Sequence, residues 1–520
     1  MNIKYFFLIL VITIINFFMK NHILFSLLAL GSLLTIPADA QRKKNKLPEQ
    51  NFAQAEPESH IRFLASDEMQ GRRTGEQGNH VAARYLAEQF RHLGLKPASG
   101  NDYLQLVPFE QVRSSKEGTI LAGSDTLQIS KQFIVVSAEG AALANAPVVF
   151  VGYGWADDKG YNDYKDIDVK GKVVIASLGT PDAKTPGENL RASERKNQLA
   201  AEKGAVALIE IFTLSMPWQT VTRYFGGDRL GLASESKAAG IPHVWVSGQA
   251  KKSLPNGLNS ISMRFAGQGR SPVRSYNVAA VLEGSDPVLK NEYLILSAHY
   301  DHVGTGKNGG ASFSPSDSIF NGTRDNAFGT VAVLMAAKAL SEQKPKRSIL
   351  FLGFTAEEIG LLGSRYYSEH PLVPLKQCVY NLNCDGAGYS DTTLVTMIGL
   401  NRTDVKPEIE QGCQAFGLTV NDDPAPEQNL FDRSDNVNFA AKGIPSPTYS
   451  LGFRKFDAEI MKFYHQVTDN PETISFGYLL KYCQAYTYTA RLIADRAAAP
   501  KWVVGDKYEK AFMELYNTGK

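Results

Sequence analysis

His299, Asp325, Glu358, Asp385 and His465 lie far apart along the chain, yet together they form a set of imidazoles and carboxylates with no thiolate. Such a set suits zinc, with cobalt or manganese as substitutes. Three ligand carboxylates and a bridging hydroxide would balance the charge of two divalent ions, so that no naked charge is buried. Each residue also has a plainer reading. In His299-Tyr300-Asp301 the side chains two apart share a strand face, so Asp301 can hold one imidazole nitrogen while the other binds metal; alone, such a triplet is more often a surface or structural pair. Asp325 stands before a helical pattern, where a cap is worth about 1 kcal/mol. Glu357 and Glu358 follow Thr355-Ala356 just past an apolar run. On a loop both can turn inward, one to bind metal and one to hold a water; otherwise they are a solvated helix start. Asp385 before Gly386 can cap a turn, and His465 can be an exposed loop imidazole.

The elements that must position these residues are legible as short apolar runs at 293–298, 348–354 and 379–384, with a helix-like run at 331–340. Their alternation predicts an α/β fold with a mostly parallel central sheet flanked by helices. Active sites in such sheets gather at the carboxyl ends of the strands, where His299, Glu357, Glu358 and Asp385 fall. Upstream, Val81, Tyr85, Leu86, Phe90 and Leu93 recur at helical spacing before Gly94 and Pro97, which predicts an amphipathic helix. From about 130 the texture changes to β-rich runs at 148–151, 173–175, 207–211 and 244–246, with a helix-like segment at 197–203. That stretch reads as a separate small α+β module.

A chain of 520 residues exceeds what one core usually serves, so two folded units are expected. Its 55 basic and 53 acidic side chains nearly cancel, leaving no field that favours nucleic acid. At the amino end, Met19-Lys20-Asn21-His22 leads into an apolar run at 23–36 and then Ala38-Asp39-Ala40, the pattern of a signal peptide spanning 1–40. The expectation is an exported protein, periplasmic or secreted, without stable membrane association after cleavage. An earlier apolar run at 5–18 is shorter than the roughly 20 residues needed to cross a bilayer, which makes Met19 a candidate start. The alternative is one uncleaved anchor built from both runs, interrupted by Lys20, Asn21 and His22. Four cysteines offer three pairings, none favoured by spacing. Cys378 and Cys384, on one predicted strand at about 3.3 Å per residue, are too far apart to bond to each other.

In type and order the site residues resemble the M28 family of zinc exopeptidases. The likeness rests on His299-Tyr300-Asp301, Asp325-Asn326-Ala327 with Gly329, Glu357-Glu358, Asp385 and His465, and spans about 275 to 490 with the helical segment near 58 to 95. It implies two Zn2+ ions per chain, with Asp325 bridging, His299 and Asp385 on one, and Glu358 and His465 on the other. Glu357 is implied as general base and Asp301 as its catalytic companion behind His299. A cis peptide is implied between Asp325 and Asn326. Arg433 and Asp435 fall where the family borders its substrate: Asp435 could attract a free amino terminus, Arg433 a terminal carboxylate. Phe328 stands where members commonly have serine. Residues 130–272, through Val149-Phe150-Val151-Gly152-Tyr153-Gly154 and Lys170-Gly171-Lys172-Val173-Val174, resemble a protease-associated domain. It would be inserted between peptidase segments 50–129 and 273–500, with 501–520 as a tail. The implied activity is removal of amino-terminal residues from peptide substrates. Alternatives are a carboxypeptidase of the same family, a single-zinc glutaminyl cyclase and a non-catalytic, receptor-like descendant.

Overall fold

The computed structural model describes residues 46–98, 100–233, 240–255 and 257–516. The expected signal peptide, 1–40, lies outside them. No helix among the described residues is long and apolar enough to cross a membrane.

Among the described residues, the larger of two sheets has ten strands. Its principal strands are β1 (Leu104–Arg113), β2 (Gly269–Leu282), β3 (Tyr293–His299), β4 (Ser348–Phe354), β5 (Cys378–Cys384), β6 (Leu394–Ile398) and β7 (Thr448–Ser450). β3 is central and runs parallel to β4 and β5, and β5 runs parallel to β7. These strands read as unbroken apolar runs because both faces are covered. Leu294, Leu296, Ala298, Ile349 and Phe351 face one core with helices α1 (Ala55–Leu64), α2 (Gln77–His92), α3 (Phe328–Glu342) and α4 (Phe476–Ala494). Ile295, Leu350, Leu352 and Phe354 point to the opposite core, against Tyr367 and Phe439. The period of two sorts alternate residues between the layers, and each fully buried Leu, Ile or Phe is worth about 1.5–3 kcal/mol.

The sheet is mixed rather than mostly parallel. Beyond β4 every pairing is antiparallel: β4 with β2, β2 with β1, and β1 with a strand at Arg229–Leu232. β1 and β2 are the outgoing and returning legs of an insertion, so their opposed directions follow from connectivity, whereas parallel neighbours need a crossover. Between those legs lies the second, eight-stranded sheet, also mixed. Its strands run from Gly118–Ala122 to Ser260–Ala266. It thus begins ahead of residue 130, because the hairpin Gly118–Ala122 and Asp125–Gln128 adds to its edge through Ser260–Ala266. The helix expected at 197–203 is longer, Pro186–Glu202, opened by a Thr185 and Glu188 capping box that the apolar pattern did not reveal.

The described residues past 500 are anchored on the domain: Trp502 is buried and donates its indole N–H to the Gly443 carbonyl at 3.1 Å. All four cysteines are free and buried, with Cys378 and Cys384 at opposite ends of β5.

Candidate metal centre

The carboxyl ends of β3, β4 and β5 deliver most of the site. β3 ends on His299, whose carbonyl accepts the Thr330 hydroxyl of α3 at 2.8 Å. β4 runs into Thr355, after which Ala356 takes φ +61. A left-handed alanine costs about 1–2 kcal/mol, and here it turns Glu357 and Glu358 into the cleft. β5 delivers Asp385. Asp325 comes from the segment before α3, entered through Gly322 at φ +58, where a Cβ would stand 2.4 Å from the Asp325 carbonyl and 2.5 Å from the His302 ring. The Asp325–Asn326 peptide is cis. His465, at φ +53, is on the loop after a short helix, Ala458–Met461.

The five proposed ligands converge. His299 Nε2 lies 3.4 Å from Asp325 Oδ1 and 3.3 Å from Asp385 Oδ1. His465 Nε2 lies 3.2 Å from Asp325 Oδ2 and 2.9 Å from Glu358 Oε2. Asp325 therefore presents one oxygen to each histidine. Tetrahedral zinc with bonds of about 2.0 Å separates neighbouring ligand atoms by about 3.3 Å, which is the spacing found. His465 Nε2 is buried and faces both oxygens at once, in line with neither. A donor atom so placed fits a cation held between them.

The charges demand the same thing. Burial alone would lower His465, but Glu358 and Asp325 raise it to about 11. Burial likewise opposes His299, yet Glu357 and Asp385 hold it well above its ordinary range. Burial would raise Glu358, as would Asp325, but His465 and His302 bring it down to about 2. The carboxylates thus require positive charge within the cage, which metal ions would supply. Glu357 differs. Burial pushes its carboxyl well up, and Asp385, Glu358 and Asp435 add to this against His299. Its Oε2 is 4.0 Å from His299 Nε2, its side chain lines the cleft, and with His299 and Asp385 it forms the second group of potential ligands.

Asp301 plays a different part from the one its spacing suggests. Its carboxylate is 3.7 Å from His299 Nδ1, beyond a hydrogen bond, and it is the Asp301 carbonyl that Nδ1 faces at 3.2 Å. The carboxylate instead accepts the Glu357 N–H at 3.1 Å and the Thr74 hydroxyl at 3.1 Å, fixing the general-base candidate from behind. Asp435 is fully buried and absent from the cleft wall, so it has no surface to offer a substrate's amino terminus. Burial raises its carboxyl to about 7. Arg433 does line the cleft, with Nη2 3.3 Å from the Tyr464 hydroxyl. Phe328 is accommodated in the core against Tyr389, Tyr478 and Tyr482.

His302 was not anticipated. It joins Asp325, Glu358 and His465 in one group of potential ligands, and its Nδ1 lies 2.6 Å from Glu358 Oε1. The pair fixes Glu358 so that its other oxygen faces His465. A second histidine immediately after Asp301 was the available signal.

Around this cage Ile398, Leu430, Phe453 and Phe456 form an apolar wall of the cleft. Residues 277–489 match the model of peptidase family M28. The chain is 28% identical over 289 residues to a probable leucine aminopeptidase 2 of Aspergillus oryzae, covering 53% of this chain and about half, 54%, of that protein. It is 27% identical over 375 residues to Aminopeptidase YwaD of Bacillus subtilis, covering 69% of each. Its fold is similar to that of an aminopeptidase from Aneurinibacillus sp., with a TM-score of 0.54 at 20% identity, over 88% of this chain and 97% of that one. Over residues 277–489 this chain is thus similar to peptidase family M28.

Proposed function

We propose that the protein is a di-zinc aminopeptidase that removes residues from the amino end of peptides. The observation that carries this reading is the division of Asp325 between two ligand groups, with Glu357 beside His299. His299, Asp385 and Asp325 would hold one ion, and Asp325, Glu358 and His465 the other, with His302 orienting Glu358 or joining it as a ligand. Zinc bound there supplies Lewis acidity and lowers the pKa of water.

The chain's own groups do the rest. Glu357, lining the cleft 4.0 Å from His299 Nε2, is placed to take a proton from the attacking water and pass it to the departing amine. Asp301 keeps Glu357 in place through its backbone N–H. The apolar wall receives the side chain of the residue to be removed. Arg433, at the same cleft, is placed to meet a carboxylate farther along the peptide. The names of the two aminopeptidase relatives support amino-terminal over carboxyl-terminal cleavage. Among the described residues the inserted unit contributes no side chain to the cleft wall, and we assign it gating or partner contact, in keeping with its protease-associated pattern. The leader pattern ahead of residue 41 supports export.

Incubation of the purified protein with a mixed peptide library, with and without chelator, tests the reading by mass spectrometry. Stepwise loss from the amino end that stops with chelator is expected; loss from the carboxyl end, or cyclisation of amino-terminal glutamine without cleavage, would replace it.

A further inference from the structure

Arg72 is among the largest fully buried side chains, and its contacts run to backbone. Nε donates to the Tyr300 carbonyl at 2.8 Å, Nη1 to those of Leu64 at 2.5 Å and Asn321 at 2.6 Å, and Nη2 to that of Gly322 at 2.8 Å. Three of these acceptors belong to the two segments that deliver metal ligands. Tyr300 follows His299, and Asn321-Gly322 leads into Asp325. The main chain of the same turn joins in, since the Gly71 carbonyl accepts the Gly304 N–H at 3.1 Å and the Arg72 carbonyl accepts the His302 N–H at 3.4 Å. At Gly71, φ +65, a Cβ would stand 2.4 Å from the Gly304 carbonyl and 2.6 Å from that of Phe320, so the turn is seated flush on both segments.

A buried guanidinium satisfied by carbonyls is held in position, but its charge is not neutralised by them. The carboxylates that compensate it through space are Asp301, Asp325, Asp469 and Glu358, two of which are candidate ligands. A lysine could not substitute. Its three donors radiate from one point, whereas the planar fork reaches carbonyls on opposite sides at once.

We propose that Arg72 is a positioning residue for the metal cage, a fixed cation that locks the His299–His302 and Asn321–Asp325 segments to one another at the spacing two ions require. The inference rests on reading the cleft as a metal cage. It assigns the Gln70-Gly71-Arg72-Arg73 turn a part in metal binding, although the turn supplies no ligand. Outer groups that orient ligands commonly change metal affinity by about 10–100-fold when lost.

The test uses the full chain as wild type, Arg72→Lys and Arg72→Met. Zinc affinity is measured by competition with a chromophoric chelator, and unfolding temperature with and without zinc. Both variants are expected to bind zinc about 10–100-fold more weakly, and the rise in unfolding temperature on zinc loading should shrink. A residue that merely supports the fold would lower both unfolding temperatures together and leave zinc affinity unchanged, and that result overturns the proposal. If neither variant folds, amide exchange of the wild type decides. Zinc must slow exchange at His302 and Gly304, whose N–H groups donate to this turn; no change there while β3 and β5 respond would overturn it. A wild type that binds zinc and trims peptides alongside variants of equal zinc affinity removes this inference alone, whereas a wild type that takes up no zinc removes the reading of the cleft with it.

Discussion

Replacing Asp469 alone should be far more damaging than replacing it together with Arg324. Both side chains are almost fully buried. Asp469 accepts the Arg324 guanidinium at 2.7 Å through Oδ1 and the Arg324 backbone N–H at 2.8 Å through Oδ2. Burial pushes the Asp469 carboxyl up even with Arg324 beside it, a sign that desolvation outweighs attraction. In Asp469→Leu the guanidinium stays where it is, held by Thr473 and stacked 3.7 Å over the Phe463 ring, with its charge unanswered. Such a loss costs about 3–5 kcal/mol, against a total stability of about 5–15 kcal/mol. The double replacement Arg324→Met with Asp469→Leu removes the stranded charge and leaves the unpaired backbone N–H of residue 324, about 1–3 kcal/mol, with Arg72 still answered by Asp301, Asp325 and Glu358. Equilibrium urea unfolding of the two variants and of Arg324→Met gives the cycle directly. A cost below about 1 kcal/mol for the single replacement, or a double variant no more stable than the single, would refute the reasoning.

Glu357→Gln should retain zinc and lose turnover by at least about a hundredfold; near-full peptide cleavage by that variant removes Glu357 as the base. His302→Ala should weaken zinc binding by about 10–100-fold, read by chelator competition, because Glu358 loses its orienting partner; unchanged affinity would make His302 a bystander. In the inserted unit, burial would raise Glu210, but His243 and Lys196 hold it down to about 2 from an ordinary 4.5. A depressed carboxyl contributes stability above its ordinary value that is lost as pH falls through the depressed one. Fluorescence of Trp245, whose N–H donates to Glu210 at 3.0 Å, should therefore report loosening between pH 4.5 and 2. A flat signal across that window contradicts it.

The cage was legible because its ligands sit at the ends of apolar runs long enough to be strands, where direction and burial leave few alternatives. His299, Glu358 and Asp385 follow from that rule, while Asp325 and His465 needed the ordered resemblance. Local pattern carries nothing about tertiary donors, so Arg72, which grips carbonyls more than two hundred residues away, leaves no sequence signature of its role. For the same reason Asp301 could be placed near His299 but not assigned to the Glu357 backbone. Asp435 looked like a loop residue because Arg433 and Ser434 beside it are polar, yet the short helix Asn436–Ala441 draws it inward. The mixed character of the sheet was hidden because Arg229–Leu232, deep within the inserted stretch, pairs back with Phe109–Val112 more than a hundred residues earlier.

Anomalous diffraction at the zinc edge from zinc-loaded crystals measures the central claim most directly. Two peaks are predicted roughly 3.5–4 Å apart, each about 2.0–2.2 Å from a different oxygen of Asp325. One would be shared with His299 and Asp385, the other with Glu358 and His465. A single peak, or peaks that do not share Asp325, would contradict the account.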